Sequence, residues 1–176
     1  MTVVLLRNSI VKLLWDYLEC PVILADQVQP ETEFPFGIYS VTTPYASTGE
    51  LGDYSVEDVE GGTMETRMEM PSATFSFTFC SQNRTDEEGN AINGADEAEE
   101  LASKAVGYFQ HVGYDAFSAL GVTIVEVGPV QDRTTLVIDE AARRVGFDVR
   151  IRYTRTDTRE ISTVSPTNIT VKESES

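Results

Sequence analysis

Histidine is nearly missing from this 176-residue chain: His111 is the only one, among 29 acidic and 13 basic residues that leave a formal net charge of −16. A Ser-His-Asp or Cys-His arrangement needs an imidazole as its base, so most nucleophilic hydrolase chemistry is disfavoured from the outset. His111 lies near the end of an amphipathic stretch, where a cationic side chain complements a helix C-terminus. Cysteine is scarce too. Cys20 and Cys80 have no metal-ligand spacing and no second pair, which strongly disfavours a zinc site and points to two free thiols.

Long apolar runs are also lacking. Near the N-terminus the unbroken stretch is Val3 to Leu6, ended by Arg7 and Asn8, and no basic residue precedes it. An export signal needs about 7–15 apolar residues behind a basic segment, and a membrane helix needs roughly 18 or more. The expectation is a protein made and assembled in the cytoplasm, with no membrane partner. Without export, the acceptor-like triplets Asn83-Arg84-Thr85 and Asn168-Ile169-Thr170 carry no meaning. The scarcity of positive charge disfavours wrapping of nucleic acid, because phosphate binding requires basic residues to displace counterions.

Carboxylates are abundant, yet they do not form a recognisable site. Asp86, Glu87 and Glu88 precede Gly89 and Asn90 without the alternate-ligand order of a calcium loop, so a solvated turn is expected. The glycines never fall into a phosphate-loop or dinucleotide spacing. No cofactor, metal or catalytic residue is assigned.

What is present is clear periodicity. Val3, Leu6, Ile10, Leu13, Leu14 and Tyr17 recur at helical spacing, and Pro21 closes that helix. Val22 to Ala25 and Gly37 to Thr43 read as strands, joined by a polar, proline-punctuated loop. Thr43 to Met70 is a long acidic excursion rich in glycine, predicted to be a mobile loop or extended hairpin. Ala73, Phe75, Phe77 and Phe79 alternate with polar residues, as in a strand with one buried aromatic face. Asn83 to Gly94 is a polar turn region; Ala95 to Val112 reads as a second helix with Ala98, Leu101, Ala102, Ala105, Val106 and Phe109 inward and Gly113 as its cap. After a short aromatic loop, Gly121 to Gly128 is a strand ended by Pro129, and Arg144 to Arg155 alternates strictly over a long antiparallel strand.

From Thr156 the chain turns polar, with Ile161, Val164, Ile169 and Val171 as candidates for short edge pairing and Lys172 to Ser176 expected to fray. The sum is an α+β fold: two helices packed on one face of a mainly antiparallel sheet of about four or five strands, with the long acidic loop or hairpin attached. The expected division is one domain over 1–155, carrying the excursion at 43–70, and a partly disordered extension over 156–176.

Charge is unevenly distributed along this pattern. Arg133, Arg143, Arg144, Arg150, Arg152, Arg155 and Arg159 crowd the C-terminal third, whereas Arg67 is the sole basic residue from Glu19 to Glu69. Opposed patches on one small domain suit a head-to-tail contact that closes into a ring. The candidate subunit interface therefore comprises Arg143, Arg144, Arg150 and Arg152 on one side and Glu57, Asp58 and Glu60 on the other. The competing reading is an exposed strand whose arginines pair with local acids.

The order of these elements resembles a known family. A leading helix ends near Cys20-Pro21-Val22-Ile23, and Phe34-Pro35-Phe36-Gly37-Ile38-Tyr39 leads into a strand. Phe75-Ser76-Phe77-Thr78-Phe79 is followed by a helix with Glu97-Ala98 and Leu101-Ala102, and Arg144 to Tyr153 closes the pattern. Together they resemble the tail terminator or neck-completion family of long-tailed phages, over roughly Leu6 to Tyr153. The resemblance implies a structural, non-enzymatic virion subunit that closes into a hexameric ring on the last ring of the tail tube and halts tube growth. Its implied partners are the tail tube protein, the head connector or stopper and a sheath or sheath-terminator protein, with DNA passing through the lumen without specific binding. In such proteins a long loop often reaches a neighbouring subunit or the tube; Thr43 to Met70 is the segment placed to do so. Another virion part, such as a head-tail adaptor or tube subunit, and a free-standing protein-binding module are the alternatives left open by the residues themselves.

Overall fold

The computed structural model describes residues 3–25, 32–49, 51–60, 62–134 and 142–161. It begins with α1 (Val3–Leu18), which buries Leu6, Ile10, Val11 and Leu14. The buried stripe includes Val11, whereas Tyr17 turns outward and stacks on Tyr108 with ring centroids 4.5 Å apart. Glu19 adopts a left-handed conformation (φ 52°) and, with Pro21, takes the chain out of the helix.

The main sheet follows. It contains β1 (Val22–Leu24), β2 (Phe36–Ala46), β5 (Ser72–Ser81), β10 (Arg143–Tyr153) and β8 (Val122–Val127), side by side in that order, with the short β9 (Gln131–Asp132) also pairing with β10. The β1–β2 pair is parallel and the others are antiparallel. The long strands β5 and β10 pair from Arg143 with Ser81 to Arg152 with Ser72, which sets Phe147 directly opposite Phe77.

Alternation explains why that register holds. Ala73, Phe75, Phe77 and Phe79 of β5 and Phe147, Val149, Ile151 and Tyr153 of β10 all point into one core, so a slip of one residue would expose the whole set. The helix α2 (Gly94–Gly107) covers these strands with Ala98, Leu101, Ala102 and Ala105. Small residues at three of those positions let the helix sit close to the aromatic face. Its N-cap is Asn93, whose side chain accepts a hydrogen bond from the Ala95 amide.

The region read as one helix and a loop has finer structure. Beyond α2 the chain widens into a π-helical turn at Tyr108–Val112, and the aromatic loop is a short helix, α3 (Tyr114–Ala119). The widening directs Tyr108 and Phe109 inward together; Phe109 meets Phe77 at 5.2 Å and stacks on Phe117 at 5.4 Å. Gly113 sits at the corner, where a Cβ would come within 2.6 Å of the Phe117 ring, so no side chain fits.

Between β5 and α2, β6 (Arg84–Thr85) and β7 (Ala91–Ile92) form a small hairpin. Arg84 fixes it to α2 through two parallel hydrogen bonds to Glu97, at 2.7 and 2.8 Å. The Arg84 hydrogen bonds, outweighing the cost of burial and aided by Ser81, hold the Glu97 carboxyl below its ordinary pKa.

The acidic excursion is the structure's second sheet. Strands β3 (Asp53–Val59) and β4 (Gly62–Glu69) form a hairpin, and β11 (Arg155–Ile161) pairs with β4, giving the order β11-β4-β3. Thus the extended hairpin is the form observed, and the polar stretch after Tyr153 supplies its third strand. Val164, Ile169, Val171 and the rest of 162–176 lie outside the described residues.

Candidate subunit interface

This second sheet forms an arm. It is rooted where β4 turns into β5 at Met70-Pro71 and where β10 runs on into β11 at Thr154. Apolar packing contributes little to it, since all seven residues of β3 are exposed. Backbone pairing of β3, β4 and β11 holds it, and charge pairing aligns it. The β4–β11 register sets Glu69 opposite Arg155, Arg67 opposite Asp157 and Glu65 opposite Arg159, and each rung is an ion pair. A slip of two residues in either direction would bring like charges together, Arg155 against Arg67 or Asp157 against Glu69. The ladder therefore specifies the register that its own apolar content cannot.

Glu69 is the anchor of the ladder and is only 6% exposed. Arg67 donates to it at 2.6 Å, the Tyr45 hydroxyl donates at 3.2 and 3.3 Å, and the Arg155 guanidinium, 5.5 Å from the centre of the Tyr45 ring, completes the cluster. Arg67 also donates to the Leu51 carbonyl at 2.6 Å, tying the connection into β3 to the same point. These residues were not singled out by charge density. The legible signal is the alternation of Glu65, Arg67 and Glu69 against Arg155, Asp157 and Arg159, two complementary strings of period two.

The predicted interface residues separate onto different surfaces. Alternation along β10 sends Arg144, Arg150 and Arg152 to the face of the main sheet away from the core and gives Arg143 the opposite parity. Arg150 pairs with Glu126 of β8 at 2.8 Å, so local pairing accounts for this arginine within the chain. Arg143 and Arg152 are exposed and make no ion pair among the described residues. On the acidic side, Glu57 and Asp58 stand exposed near the end of β3 and Glu60 is exposed in the turn beyond it. No ion pair within the chain joins the arginine set to the acidic set among the described residues.

One further arginine lies across the same open sheet face. Arg133 donates to Ser76 at 2.7 Å, to Thr78 at 3.1 Å and to Asp148 at 3.0 Å. Gly146 makes room for it: a Cβ there would come within 2.4 Å of the Phe77 carbonyl and 2.9 Å of the guanidinium. Burial works against ionisation of Asp148, but hydrogen bonds from Ser76 and Arg133 and the positive charge beside it prevail and keep its pKa low.

The two thiols take no part in these surfaces. Cys20 and Cys80 are buried and not joined in a disulfide, and burial, reinforced by the charge of Glu97, pushes the Cys20 thiol up to about 11. His111 lies exposed in the π-helical turn. Among the described residues no group of three or more His, Cys, Asp or Glu is placed to hold a metal ion.

Residues 8–175 match the phage neck terminator protein family. The chain belongs to that family. No curated protein matches it. The match runs past Tyr153, where the resemblance of the sequence pattern ended, and takes in all of β11. Membership places the protein among structural, non-enzymatic components of the phage tail and neck, with tail-tube and neck proteins as its partners.

Proposed function

We propose that this terminator forms a homo-oligomeric ring, six copies in the resemblance, that caps the head-proximal end of the tail tube. The ring ends tube growth and offers its other side to the head connector or stopper, with a sheath or sheath-terminator protein as an additional neighbour in a contractile tail. The observation that carries this reading is the separation of an acidic arm end, with Glu57, Asp58 and Glu60, from a basic strand face with Arg144, Arg150 and Arg152. Two unlike surfaces on one subunit make a heterologous contact, and a heterologous contact whose rotation closes gives a ring. Arg143 belongs to the same proposed contact from the end of β10, as the residue that borders its rim. The net charge of −16 suits a lumen through which DNA slides without specific binding.

The domain organisation proposed with it takes residues 1–155 as the terminator-like domain and residues beyond as an extension whose first strand completes the arm. Assembly in the host cytoplasm precedes incorporation into the virion.

Light scattering of the native protein, alone and with tail tube protein added, tests this reading. Rings in solution or only on the tube are expected, and a persistent monomer in both conditions would refute it. The double variant Arg150→Glu/Arg152→Glu should retain the fold by circular dichroism and lose the ring.

A further inference from the structure

The root of the arm contains a groove that the fold itself leaves unfilled. It holds about 600 Å³ and is lined by Leu51, Asp53, Met68, Glu69, Met70 and Arg152, among others. Three of these are large apolar side chains facing solvent, with Leu51 79%, Met68 46% and Met70 48% exposed. Scattered exposed apolar residues need no explanation, but here three border one concave surface together with an arginine and other polar residues. Glu69 is already bound by Arg67, Arg155 and Tyr45, which leaves Arg152 as the groove's cation and Asp53 at its rim.

The complementary shape stands at the other end of the same arm. There the turn presents Val59, exposed and apolar, flanked by Glu57, Asp58 and Glu60, with no basic residue from Glu19 to Thr66. Alternation puts Glu57 and Val59 on the same face as Met64 and Met68. The tip cannot reach its own root, because Leu51 and Val59 lie at opposite ends of an extended segment that spans roughly 20 Å or more.

We infer that the tip of one copy, at Val59 and Glu60, seats in the root groove of the next copy, with Val59 against Leu51, Met68 and Met70 and the tip carboxylates facing Arg152. This inference rests on the ring proposed above and names where in that ring the arm docks. Each copy uses its tip on one neighbour and its root on the other, so the arms link in one direction around the ring and every groove is filled only on closure. The occupant is a second copy of this chain because its tip supplies both the apolar contact and the charge opposite to Arg152.

The experiment is a disulfide test on the double variant Leu51→Cys/Val59→Cys. Both native cysteines are buried, and a disulfide needs Cα atoms within about 7 Å, so a bond between positions 51 and 59 forms only between copies. Mild oxidation should convert assembled protein into a ladder on a non-reducing gel that ends at the ring stoichiometry and collapses on reduction. In parallel, Arg152→Glu should shift the native mass from ring to single subunits, and adding Glu60→Arg should restore the ring. Rings by light scattering with no cross-linked species would overturn this docking while leaving the ring intact as a reading. A monomer with and without tubes would overturn both.

Discussion

The body and the arm of this terminator are built on opposite economies of sequence. In the body, Phe75, Phe77, Phe79 and Phe147 are each 1% exposed or less and set the register of β5 and β10 through burial. In the arm, β3 has no buried residue, and the register of β4 and β11 is set by three cross-strand ion pairs. Apolar burial is nondirectional and strong, of the order of 1.5–3 kcal/mol for a large side chain, whereas the more exposed rungs, Arg67 with Asp157 and Glu65 with Arg159, contribute roughly 0.2–1 kcal/mol each. The comparison teaches that the body supplies stability and the arm supplies specificity of alignment. In the proposed ring, an arm received by a neighbouring copy gains from being weakly held and unambiguously registered.

The largest effect should come from breaking the body at its centre. Phe77→Ala removes a ring that meets Tyr39, Phe75, Phe109 and Phe147, and should cost about 3–5 kcal/mol in denaturant-unfolding free energy. The arm should unfold with the body in that variant. A smaller loss at Phe77 than at any arm position would break the comparison.

Next in size is Gly146→Ala, which leaves the core face untouched and instead drives a methyl group into the Phe77 carbonyl and the Arg133 guanidinium. A loss of about 1–3 kcal/mol is expected, as for overpacking, together with displacement of Arg133 from Asp148 visible in a crystal structure of the variant. Global stability equal to the parent would show that the open face has slack.

Asp157→Lys should act on the arm alone. It sets a lysine opposite Arg67 and beside Arg155, turning an attractive rung into a repulsive one. Amide exchange in β4 and β11 should accelerate by roughly fivefold, equivalent to about 1 kcal/mol of local opening, while the melting temperature of the body stays within error. Raising salt to about 1 M, where charges are screened beyond about 3 Å, should move the parent arm in the same direction by less.

The smallest effect concerns acid. Glu97 and Asp148 both have folded-state pKa values below their ordinary ones, so each favours the folded state while ionised. Their contribution is complete above the usual carboxylate range, near pH 4, and is lost as the pH falls toward the depressed values. Unfolding at a series of pH values should show this decline in the parent and a shallower one in Glu97→Gln; identical slopes would remove Glu97 from the account.

Much of the body could be read in the chain because its signals are local and periodic. The alternation from Ala73 to Phe79 and from Val145 to Tyr153, and the helical spacing from Leu6 to Leu14, each follow from one element burying one face. The departures occur where geometry depends on neighbours. Tyr108–Val112 widens because Tyr108 and Phe109 must both enter an aromatic cluster shared with Phe117, and α3 is too short for a period to show. The candidate interface was legible as charge composition but not as surfaces, since pairing of Arg150 with Glu126 and the parity of Arg143 emerge only when strands are set side by side. The arm's ladder was written in the sequence as two strings of alternating sign, but they stand nearly ninety positions apart, and nothing local says that one reads against the other.

By itself, the sequence determined the α+β class, the aromatic face that the helices cover, the absence of a histidine-based catalytic set and the uneven distribution of charge. These are matters of periodicity and composition, which act over a few residues or over the chain as a whole. Only the tertiary structure decided that the acidic excursion is a strand pair, that residues 155–161 complete it, and that a groove of mixed polar and apolar lining opens beside Arg152 at its root. Those features arise from pairing between distant segments, where the free energy belongs to the register of two strands and to neither strand alone.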